Sequence, residues 1–127
     1  MYMKKQTLPE IPQYLIDATQ DPLSSISRGH DHGWDFEEWE PNAELLGWLK
    51  SNVNATATWK LNVSERTGNL VRHVETEPKA GMKFAYFTEI HGDLLATWME
   101  GGRVVYQEPV QTKTWYVMRM DVEHVAL

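Results

Sequence analysis

The stretch "TATWKLNV", Thr56 to Val63, changes character at every residue: Ala57, Trp59, Leu61 and Val63 fall on one side, and Thr58, Lys60 and Asn62 on the other. Successive side chains of a strand point to opposite faces, so this repeat of two predicts a strand with one dry and one wetter face. The same period returns downstream. Met82, Phe84, Tyr86 and Ile90 align in "MKFAYFTEI", and Tyr116, Met118, Met120 and Val122 align in "TKTWYVMRMDV". "LVRHVETE", "LLATWME" and "RVVYQ" supply further strands, separated by "SERTGN", "PKAG", His91-Gly92-Asp93 and Gly101-Gly102. Paired glycines between apolar runs are a strong hairpin signal. Pro109, which cannot donate to a ladder, ends or bulges the strand that it closes. The tally is about six antiparallel strands over 55–127.

Upstream the period changes. Ile11, Tyr14, Leu15 and Ala18 are spaced as one helix face, with Pro12 in the first turn and Asp21-Pro22 as the stop. Ser24 to Gly33 reads as loop. Asn42 is positioned to cap a second helix, with Glu44 in its first turn and Leu45, Leu46, Trp48 and Leu49 on its apolar side. Gly47 inside that helix is unfavourable against alanine and marks an expected close contact. The expected fold class is therefore α+β: two N-terminal helices packed on a strongly twisted antiparallel meander of about six strands, half-barrel or barrel-like. The chain reads as a single domain, 1–127, with a helical and loop part over 1–54 and the sheet over 55–127.

The chain has no cysteine, which excludes disulfides and thiolate metal sites. Lys4 and Lys5 precede no apolar run, since Thr7, Pro9, Glu10 and Pro12 interrupt it, and no segment has the apolar length of a membrane span. A cytoplasmic protein without membrane association is expected. The net charge of −6 disfavours nucleic acid as a partner. The acid is concentrated: six acidic residues and no lysine or arginine lie between Asp31 and Glu44. No motif points to a known family. There is no nucleophile elbow and no glycine-rich phosphate loop, so the chemistry leans away from catalysis.

The leading expectation is a small acidic binding protein, an inhibitor or accessory protein of the kind mobile elements encode. Trp34, Asp35, Glu37, Glu38 and Trp39 would dock on a protein with a basic or aromatic-accepting surface, the acids steering and the indoles anchoring. A homodimer is compatible with such a surface. The alternative is a curved sheet enclosing a small apolar or aromatic ligand, with Tyr86, Trp98, Tyr106, Trp115 and Tyr116 as lining and His73 or His91 as the polar handle. In that reading His73 with Glu75, and Glu89 with His91, are same-face imidazole–carboxylate pairs on consecutive strands, fit for acid–base work if their faces coincide. A third reading places a divalent metal on His30, His32 and Asp35; no other cofactor is implied.

Overall fold

The computed structural model describes residues 1–18, 25–31, 33–53 and 59–126. Among them the chain runs β1 (Met3–Gln6), α1 (Gln13–Asp17), β2 (Ser25–Asp31), β3 (Trp34–Trp39), α2 (Ala43–Asn52), β4 (Lys60–Arg66), β5 (Asn69–Lys79), β6 (Met82–His91), β7 (Leu95–Glu100), β8 (Arg103–Pro109), β9 (Trp115–Arg119) and β10 (His124–Ala126). The strands form two antiparallel sheets, one of seven strands in the order β1-β9-β6-β5-β4-β3-β2 and one of three in the order β10-β7-β8. This corrects the expected two helices on a six-stranded meander. The protein is mostly β, and the 1–54 part, read as helix and loop, contributes three strands. Neither helix is long and apolar enough to cross a membrane.

The physical reason for the correction lies in what covers the large sheet. One face packs Leu61, Val74, Tyr86 and Trp115 against Leu15 and Ile16 of α1 and Leu45 and Leu49 of α2. The other packs Trp34, Val71, Phe87, Tyr116 and Met118 against Trp98 of the second sheet and Leu94, the residue before β7. Both faces are thus covered, and an alternation read as dry against wet cannot show it. Asn62, on the side of β4 expected to be wetter, is buried.

Local signals hold where short-range chemistry sets the structure. The Asn42 side chain accepts a hydrogen bond from the Leu45 N–H at 2.9 Å, capping α2, and Gly101 and Gly102 both take positive φ in the two-residue turn joining β7 to β8. The first helix buries Leu15 and Ile16 and leaves Tyr14 exposed, so its inward face is rotated from the expected one.

Gly47 makes no close contact, because a Cβ built there meets nothing within 4 Å. Gly47→Ala is therefore expected to stabilise the protein by about 1 kcal/mol, the difference in helix propensity. Urea unfolding reads the gain, and a loss would mean that the helix face at Gly47 is covered.

Candidate functional site

Between the two sheets lies a cavity of about 640 Å³. That is within the roughly 300–1,000 Å³ of small-molecule sites. Strand register orders its floor into rows. Lys60 stands opposite Glu75, Asn62 opposite His73 and Glu38, His73 opposite Phe87, and Ser64 opposite Val71 and Phe36. One end of the floor is charged, with Lys60, Glu75 and Lys83; the far end is apolar, with Phe36, Val71 and Trp34. The second sheet closes the other side with Ala96 and Trp98 of its central strand, β7, joined by Leu94 just before that strand.

The charged end is built on three adjacent strands. Lys83 Nζ on β6 lies 3.1 Å from Glu75 Oε2 on β5, and His73 Nε2 lies 3.0 Å from the same oxygen. These side chains are 11–16% exposed. Burial pushes the Glu75 carboxyl up, but Lys83 and His73 outweigh it and hold the group well below the usual carboxylate range. An ionised carboxylate only accepts, so His73 Nε2 donates to Glu75. The imidazole stacks on Phe87 with ring centroids 4.9 Å apart, and its Nδ1 is buried without a hydrogen-bond partner. With one ring nitrogen engaged and the other sealed, His73 offers no free ring nitrogen to the cavity. At the neighbouring row, Lys60 Nζ lies 3.3 Å from Glu38 Oε2.

The residues expected from sequence separate along this geometry. Trp34 and Glu38 line the cavity. Asp35, Glu37 and Trp39 lie on the opposite face of β3, where Trp39 packs toward the helices and Asp35 is 82% exposed. No single face presents all five, because a strand alternates. The acids also have basic partners within the fold: His30 for Asp35, Arg28 for Glu37 and Lys60 for Glu38. Of the expected pocket lining, His73 and Trp98 border the cavity. Tyr116 is fully buried on the same side, with its hydroxyl accepting from the Gln111 N–H at 2.9 Å. Tyr86 and Trp115 belong to the helix-side core, and Tyr106 packs beside Trp98 and Tyr2.

The two imidazole–carboxylate pairs do form, but on different faces. A register shift after Arg72 sets Glu89 opposite Arg72 while His73 faces Phe87, so the His91–Glu89 pair sits outside, with His91 exposed. Of the expected metal ligands, His30 Nδ1 lies 2.8 Å from Asp35 Oδ1 at the surface, and His32 lies outside the described residues. Among the described residues no group of three or more ligating side chains converges.

Lys60, Asn62 and Lys83 are polar site residues that sequence reading missed. Their signal was present, since each occupies the polar phase of a strand, but that phase reads as solvent-facing without a second sheet. Compared with known protein families, curated proteins and solved structures, the chain gives no match.

Proposed function

We propose that this protein binds a small amphipathic molecule in the cavity between its sheets. The observation that carries the reading is the gradient along the cavity floor, from the Lys60, Glu75 and Lys83 end to the Trp34, Phe36 and Val71 end. Burying charged side chains is unfavourable, and well-packed apolar residues of similar volume often serve stability as well or better. A cavity that keeps charges at one end and aromatic rings at the other is arranged for a ligand with a polar head and an apolar body.

A thermal-shift screen of amphipathic compounds tests this. A true ligand at about 100 times its Kd is expected to add about 2.7 kcal/mol of stability. Ala96→Phe, which sets a ring into the cavity from β7, is expected to abolish that gain. The reading fails if no amphipathic compound raises the unfolding midpoint, or if the gain survives in Ala96→Phe.

A further inference from the structure

The chemistry of the charged end goes further than a generic polar head. Lys83 Nζ carries three N–H donors and, among the described residues, has one protein partner, Glu75 Oε2. His73 meets that same oxygen; Glu75 Oε1 has no protein partner among the described residues, and it is not among the sealed, unpartnered atoms. An unused donor and an unused acceptor therefore stand side by side on the floor.

Charge points the same way. Lys60 pairs with Glu38 and Lys83 with Glu75, so these four side chains sum to zero. Glu77 at the rim is exposed, where water screens it, and His124 Nδ1 donates to the Val122 carbonyl at 2.8 Å. A charged head group would bring one uncompensated charge into a site walled by Trp34, Phe87 and Trp98. A carboxylate would face Glu75 Oε1, and an ammonium would face Lys83. An uncharged group that accepts from Lys83 and donates to Glu75 meets neither penalty.

We propose that the cavity selects a ligand whose head group is uncharged and both donates and accepts hydrogen bonds, such as a carboxamide or an alcohol, over the matching carboxylate and amine. This inference rests on the cavity being the ligand site. Calorimetric titration at neutral pH with para-butylbenzamide, para-butylbenzyl alcohol, para-butylbenzoate and para-butylbenzylamine tests it. The two neutral probes are expected to bind at least about tenfold more tightly than the two ions, a separation typical of one unpaired polar or charged group in a binding site. Glu75→Gln removes one negative charge at nearly constant size and is expected to move the preference about tenfold toward the benzoate. Lys60→Gln, at a side chain 42% exposed, is expected to move it toward the amine. An ion that binds the wild-type protein as tightly as the neutral probes overturns the head-group inference while the cavity reading stands. So does a preference that neither variant moves. Binding by none of the four also overturns it, and the cavity reading then stands or falls on the wider thermal-shift screen.

Discussion

Lys83→Met is expected to destabilise the fold by about 3–5 kcal/mol at neutral pH, the loss seen when one partner of a buried ion pair is removed. Both side chains are shielded, at 16% and 15% exposure, so solvent screens the pair only weakly. Without Lys83 the Glu75 carboxylate stays buried with His73 as its remaining partner. The effect depends on pH in a defined direction. In the wild-type protein the folded-state pKa of Glu75 is depressed, so its contribution is present above the unfolded value of about 4.3 and is lost as pH falls toward the folded value. In Lys83→Met the lowering by the ammonium is gone while burial remains, so the carboxyl takes up a proton more readily and acid relieves the unpaired charge. The stability gap between the two proteins is therefore largest at neutral pH and narrows as pH falls into the acid range. Urea unfolding across that range measures it. Adding Glu75→Leu to Lys83→Met removes the stranded charge and is expected to recover most of the loss. A gap that stays below about 0.5 kcal/mol, as at an ordinary surface position, or that widens on acidification, would mean that the pair is solvated.

This pair also shows how far the sequence could be read. The strand periods over β4, β6 and β9, the Asn42 cap and the Gly101-Gly102 hairpin were legible because each depends on neighbours in sequence. The strand β1 was not. Its four residues, Met3 to Gln6, are ordered by pairing with β9 more than a hundred positions away, Met3 opposite Met118. The β2–β3 hairpin was hidden by its charges, which read as a solvated loop. In the folded protein Arg28 pairs with Glu37 and His30 with Asp35 across the two strands, so those charges specify the pairing. Gly29 lies within the stretch read as loop. A Cβ there would come within 2.5 Å of the Phe36 ring, so glycine is what lets that aromatic lie across the neighbouring strand.

The candidate site was half legible for a related reason. His73 and Glu75 share a face in any extended strand, and their contact follows from the sequence. That Lys83 joins them depends on the pairing of β5 with β6, and that the face is inward depends on the second sheet folding over the first. The segment "WDFEEW" shows the same limit most sharply: its apolar residues 34, 36 and 39 fit neither a strand with one dry face nor a helix. Trp34 and Phe36 face the cavity together with Glu38, which pairs with Lys60, while Trp39 turns to the helix side. A sheet covered on both sides, with a partly polar cavity on one, produces this broken pattern.

The two indoles of that segment should consequently respond very differently to truncation. Trp34→Ala is expected to cost about 3–5 kcal/mol, the range for removing a large buried aromatic side chain. The ring is 6% exposed, belongs to the core under the second sheet and lies beneath the Arg66 guanidinium at 4.4 Å. Trp39→Ala removes a half-buried ring and is expected to cost less, about 1–2 kcal/mol, in proportion to the apolar area it returns to water. Because Trp34 forms the apolar end of the cavity, its loss should also weaken an amphipathic ligand, whereas Trp39→Ala should leave ligand affinity unchanged. Thermal and urea unfolding of both variants, followed by titration with whichever compound the screen returns, separates these effects. A Trp34→Ala protein with an unchanged midpoint would identify the ring as a surface anchor free to meet a partner, and the cavity would lose the wall on which its apolar end depends.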